Sequence, residues 1–291
     1  MADLKEYQNA GRELYDRLHT PTYPVAVKYI KDESEIPDKA MRPSKMGQKW
    51  SLCQAVTYAR RWGGTVAMTS DDNFCTPATA SHGWVDISQE DLLQSQLFQA
   101  WHKDVEAEKK RQQHGRDMIG EANLEKMKKY RGFIVAPLHA TPFIPDSVLV
   151  FGNGENITHI IHAITYEGEN FPASSFTGFG ETCTKGGLLP FITGVPQIVL
   201  PGTGDRTFSG VYDYEIAIGL PAAMVFVAVQ NLLKTGGKLN MGNPVKTLLP
   251  MSITESITPG FKFMREKIDE AEKKNQKNSE VEYTGKQPWP A

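Results

Sequence analysis

The sequence is poor in the residues and motifs that mark several classes of protein. It contains only three cysteines among 291 residues; they lie far apart, and no two of them form a C-x-x-C pair. Such an odd, scattered set argues against a disulfide framework and leaves buried thiols, a metal site or a nucleophile as interpretations. The chain also lacks a phosphate-binding loop, a dinucleotide-binding fingerprint and a nucleophile elbow, so the usual motifs of nucleotide-binding proteins and hydrolases are missing.

Excess charge and long apolar segments are missing too. The net charge is −2, which gives no reason to expect nucleic acid or an acidic membrane as a partner. The longest apolar run, 216–229, is interrupted by Gly219 and Pro221 and is shorter than the roughly 20 residues of a membrane span. Residues 1–7 are polar and favour a helix over a secretion signal. We therefore expect a cytoplasmic protein without nucleic-acid or membrane partners.

Apolar periodicity predicts alternating helices and strands. The long polar segment 88–131 is typical of one or two helices broken near Gly115 and Gly120, with a solvated basic run at 109–111. Helices are predicted near 3–18, 52–61, 155–167, 221–234 and 260–275, and strands near 25–30, 65–69, 133–136, 148–151, 173–177, 197–200 and 215–219. Glycine-rich or polar loops are expected at 70–83, 178–183 and 201–206.

A weak internal repeat organises this pattern. The segment 55–58 (AVTY) resembles 163–166 (AITY), and the same spacing of 108 residues separates Cys75 from Cys183. Each half then has the order strand, helix, strand and cysteine loop, and Cys53 has Ile161 at its equivalent position. We predict an α/β protein with a mixed sheet, built from pseudo-repeated halves at 1–87 and 132–235, a helical insertion at 88–131 and a C-terminal helical arm at 236–291.

The three cysteines are the candidate metal ligands. Thiolates are soft ligands that suit zinc, copper(I) and iron–sulfur clusters. Cys183 follows Gly178 and Gly180, whose backbone N–H groups could donate to cluster sulfurs. Cys53 lies in the first turn of a predicted helix, where the helix dipole favours a thiolate. Buried inert thiols remain the alternative, because free cysteine is among the most buried residue types.

Several blocks of the sequence resemble the domain-of-unknown-function 169 family, whose members occur largely in anaerobic bacteria and archaea. The resemblance covers about 24–83 and 133–221. It rests on 24–29 (PVAVKY), 52–56 (LCQAV), 59–61 (ARR), 73–75 (NFC), 146–153 (DSVLVFGN), 174–178 (SSFTG), Cys183, 190–194 (PFITG), 204–206 (GDR) and 215–221 (EIAIGLP).

The resemblance implies that Cys53, Cys75 and Cys183 all lie at positions typical of the family. Three such cysteines in a family rich in anaerobes imply an iron–sulfur cluster, with 4Fe-4S as the first choice and zinc as the alternative. Three protein ligands would leave one iron open to a small-molecule ligand, a redox partner protein or a fourth side chain. Candidates for that fourth ligand are His82, Asp72 and Glu181, each of which also suits an ordinary polar loop.

Five further residues are expected around the cofactor. Backbone amides near Gly204 and the Arg206 guanidinium could hold an anionic group, although a tight turn with a structural ion pair explains the same residues. The leading hypothesis is an iron–sulfur protein that forms homo-oligomers. The alternatives are a non-redox zinc or small-ligand subunit and a scaffold with inert thiols, and whether the protein is an enzyme stays open. The five residues are Arg60, Gly178, Gly180, Gly204 and Arg206.

Overall fold

The computed structural model describes residues 2–84, 88, 90–91, 93–94, 102–174, 176, 178, 180–235 and 259–283. The chain forms two compact units, Met1–Thr235 and Gly236–Ala291. The described part of the second unit is one helix, Pro259–Tyr283, which we label α10. The C-terminal tail at 284–291 lies outside the described residues.

The first unit alternates helices and strands, which confirms the predicted α/β class. Its helices are α1 (Leu4–Leu18), α2 (Leu52–Trp62), α3 (Thr76–Ser81), α4 (Val105–Ile119), α5 (Glu121–Met127), α6 (Gly154–Ile164), a π-helix (Glu181–Leu188), α7 (Leu189–Thr193), α8 (Thr203–Ser209) and α9 (Met224–Asn231). Its strands are β1 (Val25–Ile30), β2 (Val66–Thr69), β3 (Gly132–Pro137), β4 (Ser147–Gly152), β5 (Ala173–Ser174), β6 (Gln197–Val199) and β7 (Ile216–Pro221).

The strands form one seven-stranded mixed sheet in the order β2-β3-β1-β4-β7-β6-β5. All neighbours are antiparallel except β5 and β6, which are parallel. The central strands β3 and β4 are buried along their whole length, so both faces of the sheet are covered. Strand order does not test the sequence repeat, which stays a prediction.

Helix α2 connects this sheet to the cysteines. It begins at Ser51, whose side chain and that of Gln54 form a capping box, and it ends at Gly63 in the left-handed conformation. Its apolar face, including Leu52 and Val56, packs in a core with residues of β1, β3 and the π-helix. The N-terminal turn that carries Cys53 is therefore fixed by a cap and by core packing.

Two local predictions were wrong. The segment around Cys183 was expected to be a glycine-rich loop, but it forms the π-helix against β4, β6 and β7. Pro221 was expected in the first turn of a helix, but it ends β7 and pairs with Ser147. In the described part of 88–131 the helix break falls at Gly120, whereas Gly115 lies inside α4. Residues 175 and 177 of the predicted strand 173–177 are not described.

Gly219 allows the π-helix to lie directly on β7. A Cβ at this position would be 2.0 Å from the Gly186 carbonyl oxygen, a backbone atom that cannot move alone. We expect Gly219→Ala to destabilise the protein by about 1–3 kcal/mol through overpacking, measured by urea unfolding. The control is Gly154→Ala in the first turn of α6, where an added Cβ meets nothing within 4 Å. An equal response of the two variants would contradict this close approach.

Among the described residues, no helix is long and apolar enough to cross a membrane.

Candidate functional site

All three cysteines lie at the starts of helical segments that contact one another. Cys53 is the second residue of α2, Cys75 is the N-cap of α3, and Cys183 is the third residue of the π-helix. Both α2 and α3 contact the π-helix, and the Ser81 and Thr184 hydroxyls are 2.9 Å apart. The fold therefore brings together cysteines that are far apart in the sequence.

Helix α8 and the N-cap of α2 border Cys53. Its Sγ lies 3.0 Å from the Ser51 hydroxyl and 3.9 Å from the Gly204 carbonyl oxygen. Cys183 is 8% exposed and is part of the main hydrophobic core. Cys75 is half-buried and packs against the same core. The three thiols thus lie between α2, α3, α8 and the π-helix.

The thiols influence one another electrostatically. Burial raises the pKa of Cys53 to about 12, and negative charge on Asp205 and Cys75 adds to this shift. Burial also raises the pKa of Cys75, partly offset by the Ala78 amide. The pKa of Cys183 is raised well above its usual value by burial and then by charge on Cys75, Cys53 and Asp205. In the absence of a bound cation the thiols therefore stay protonated at neutral pH.

Asp205 is the residue that sequence reasoning missed. It is 6% exposed, and its carboxylate accepts a hydrogen bond from the Gly202 backbone N–H at 2.8 Å. Burial raises the pKa of Asp205, and hydrogen bonds from Gly202 and Thr182 lower it. Because Thr182 precedes Cys183, this carboxylate connects α8 to the π-helix. The spacing of Gly202 and Asp205, a capping-box spacing, was the available sequence signal.

The predicted glycines lie on the two segments that carry or border the thiols. Gly180 adopts the left-handed conformation, φ +56°, as the N-cap of the π-helix. Gly202 approaches Gly178 so closely that a Cβ would lie 2.6 Å from the Gly178 carbonyl oxygen. Gly204 contributes the carbonyl oxygen beside Cys53. These glycines therefore allow the loop before Cys183 and the start of α8 to meet.

The two predicted arginines are engaged in structural contacts. Arg206 donates to the carbonyl oxygen of Pro201 and forms an exposed ion pair with Asp213 at 3.3 Å. Arg60 is fully buried and forms a bidentate ion pair with Glu215, with Nη–Oε distances of 2.5 and 3.0 Å. It lies seven residues after Cys53 on α2, about 10 Å along the helix axis. Arg60 is therefore at the opposite end of α2 from the thiols.

The structure separates the three candidates for a fourth ligand. The Asp72 carboxylate accepts hydrogen bonds from Arg42, Ser44 and Thr69, and its pKa is lowered to about 2. Glu181 pairs with Lys185 at 2.8 Å in the π-helix. His82 is fully buried, and its Nδ1 donates to the Ala78 carbonyl oxygen at 2.8 Å. His82 Nε2 is buried and has no hydrogen-bond partner, so its lone pair is available to a ligand.

His82 belongs to an aromatic cluster in the same core. Its ring stacks on Tyr29 with centroids 5.8 Å apart and lies 5.5 Å from the Trp84 ring. Tyr29 in turn is close to the thiol site, because charge on Cys183 contributes to raising its pKa after burial. The Tyr29 hydroxyl and the Trp84 indole N–H are likewise buried without a partner.

Burial of His82 predicts a measurable loss of stability in mild acid. Desolvation lowers the pKa of His82 to about 4, so the unfolded chain binds its proton near pH 6.5 while the folded protein does not. The contribution of neutral His82 to the free energy of unfolding is therefore complete above pH 6.5 and is lost as the pH falls towards 4. Between pH 7 and pH 5, we expect the free energy of unfolding of the wild-type protein to fall by about 2 kcal/mol more than that of the His82→Phe variant. Identical pH profiles would contradict a buried neutral imidazole.

The thiols affect one another's pKa, but they are not arranged around the position of a single metal ion. In the parts of the chain that the structure describes, no three histidine, cysteine, aspartate or glutamate side chains are arranged to hold one metal ion. The arrangement supplies soft donors, a neighbouring carboxylate and a buried imidazole lone pair.

The comparisons with known proteins agree with the sequence resemblance. The family model DUF169, described as "Uncharacterised ArCR", matches residues 13–231, which include every residue of the site. The chain is similar to "Uncharacterized protein MJ0308" of Methanocaldococcus jannaschii, with 25% identity over 222 residues, 75% of this chain and 90% of the relative. No solved structure matches the chain.

Proposed function

This chain belongs to the DUF169 family, and we propose that it is a cytoplasmic iron–sulfur protein whose cluster is held by Cys53, Cys75 and Cys183. The cluster is of the 4Fe-4S type, and its fourth iron is open to a small molecule or serves electron transfer to a partner protein. Homo-oligomer formation is part of the same proposal.

One observation carries this proposal. All three cysteines lie on helical segments that meet at the π-helix; burial raises the pKa of each thiol, and negative charge on Asp205 adds to each shift. Without a cation the thiols are neutral. A bound metal centre would bring the positive charge that deprotonates the thiols that bind it.

The same electrostatics argue against a catalytic thiolate. Reactive cysteines have a lowered pKa, produced by a nearby Lys, Arg or His cation or by a helix N-terminus. Here the pKa of each thiol is raised, and the strongest charged influences among the described residues are acids. The thiols of the site therefore do not have the lowered pKa of catalytic nucleophiles.

A cluster differs from a single zinc ion in the spacing of its donors. Three thiolates on one zinc ion, at about 2.3 Å each, lie within roughly 4 Å of one another. The described side chains have no such single-ion arrangement, whereas an iron–sulfur cluster holds its cysteine sulfurs farther apart. Backbone amides at the starts of the surrounding helices are suited to hydrogen bonds with cluster sulfurs.

The proposal is tested by reconstituting the protein without oxygen with ferrous iron and sulfide. We expect a brown protein whose visible absorption bleaches on reduction. Cyanide should bind the open iron and change the electron paramagnetic resonance spectrum of the reduced cluster. If a cluster forms but cyanide leaves its spectrum unchanged, the cluster proposal stands and the open iron site is refuted. Binding of zinc with no uptake of iron would reject the cluster and favour the zinc alternative.

The scaffold with inert thiols is the second candidate, and burial of the thiols favours it. Cys183 lies in the hydrophobic core and its pKa is raised well above the usual value, as in a structural cysteine. This candidate predicts that the protein binds neither iron nor zinc and that three cysteine-to-serine variants differ from wild type in stability alone.

A further inference from the structure

A second concave site lies at the opposite end of α2 from the cysteines. It is a cavity of about 390 Å³, within the range of small-molecule sites, formed where α2 ends beside the turn between α1 and β1. Its lining includes Tyr15, Thr22, Tyr23, Arg61 and Trp62. Arg60 also lines the cavity, and none of the three cysteines does.

Two arginines of the cavity wall, Arg60 and Arg61, share one carboxylate, that of Glu215. The buried Glu215 is held by both terminal nitrogens of Arg60, at 2.5 and 3.0 Å. Arg61 reaches the same carboxylate only at 3.4 Å, and its Nη2 also donates to the Gly210 carbonyl oxygen. Among the described residues, Arg61 Nε and Nη1 donate to no protein atom. The guanidinium carbon of Arg61 lies over the Tyr212 ring at 4.4 Å. Arg61 therefore brings to the cavity wall a positive charge whose Nε and Nη1 can still donate to a ligand.

The remaining wall is aromatic. Trp62 is 68% exposed, although large aromatic side chains are usually buried, and its ring contact is with Tyr58 at 5.7 Å. Across the lining, the rings of Tyr15 and Tyr23 are 4.9 Å apart. Exposed ring faces beside an arginine form a surface for a flat molecule that carries negative charge.

We propose that this cavity binds a small organic anion that contains a planar ring. The carboxylate or phosphate of the ligand accepts hydrogen bonds from Arg61, and its ring lies against Trp62. Arg60 stays paired with Glu215 and holds the C-terminal turn of α2 in place, which makes it a positioning residue for Arg61.

Calorimetric titration with two probes separates the possible sources of the anion. Benzoate represents an aromatic carboxylate and adenosine monophosphate represents a nucleotide; benzamide, acetate and inorganic phosphate are controls that lack either the charge or the ring. We expect at least one of the two probes to bind with a Kd below about 10 mM and the three controls to bind at least about tenfold more weakly. The tighter of the two identifies the anionic group.

Two variants connect the binding to the cavity. Arg61→Gln and Trp62→Ala are expected to weaken the bound probe at least about tenfold, or ~1.4 kcal/mol each. Trp62 is exposed and Arg61 is partly exposed, and circular dichroism checks that both variants keep the fold. Arg116→Gln, at an exposed ion pair on α4, is the matched control and should bind like wild type. Absence of binding by both probes, equal binding of acetate, or full affinity in the two variants would overturn the proposal.

Discussion

Replacing Cys183 with serine is expected to abolish cluster retention. Cys183 is the most buried of the three thiols, and it connects the π-helix to the site. A serine hydroxyl is nearly isosteric but is a hard, weakly acidic ligand that does not replace a thiolate on iron. Iron content after anaerobic purification should drop from about four per chain to near zero. Cys53→Ser and Cys75→Ser should give the same loss.

The control for this variant is Ala163→Ser, a substitution at a fully buried position on α6 that also adds a hydroxyl. Burying an unpartnered hydroxyl there costs about 1–3 kcal/mol of stability, but the iron content should match wild type. A Cys183→Ser protein that keeps the wild-type iron content would refute the assigned ligand set.

Removing the Arg60 guanidinium should produce the largest loss of stability. Arg60 and Glu215 are both fully buried, and Arg60 also lies over the Phe151 ring at 4.2 Å. In Arg60→Met the Glu215 carboxylate loses its bidentate partner and keeps the hydrogen bond from the Tyr212 backbone N–H at 2.8 Å and the 3.4 Å contact with Arg61. We expect the free energy of unfolding to fall by about 3–5 kcal/mol, measured by chemical denaturation.

Two comparison variants show whether the loss comes from the isolated carboxylate. The double variant Arg60→Met/Glu215→Leu should recover most of the lost stability, because no buried charge remains unpaired. Arg116→Met breaks the exposed pair of Arg116 and Glu121 and should cost less than about 1 kcal/mol. A double variant as unstable as Arg60→Met would contradict this explanation.

The sequence predicts those elements whose signals are local. The alternating apolar residues of β1 and the Ser51 cap and Gly63 terminator of α2 each specify their element within a few residues. The α/β class and the mixed sheet follow from such signals and are confirmed. Pro221 was misread because a proline can end a strand as well as begin a helix, and only the pairing with Ser147 decides between them.

The π-helix could not be predicted because its cause is not local. Gly186 and Gly187 look like helix breakers in sequence. In the structure, Gly186 approaches Gly219 of β7 and Gly187 lies under the Tyr29 hydroxyl, so both glycines permit close packing between distant segments. The need for glycine at these two positions arises from tertiary packing against the sheet, which the local sequence does not show.

The candidate site was predicted in part. The family resemblance identified the three cysteines as a set, and the fold brings their helix starts together. Asp205 was missed because the sequence indicates only a helix cap at this position. Its proximity to the thiols depends on the contact between α2 and α8, which the sequence does not reveal. Arg60 was expected around the cofactor, but it lies seven residues after Cys53 at the opposite end of α2.

The iron and acid-labile sulfide content of the wild-type protein, purified without oxygen, tests the central proposal most directly. Three thiols that hold a 4Fe-4S cluster predict about four iron and four sulfide per chain, with a visible absorption band that bleaches on reduction. A colourless protein, free of iron and sulfide after the same preparation and after reconstitution, would contradict the iron–sulfur proposal.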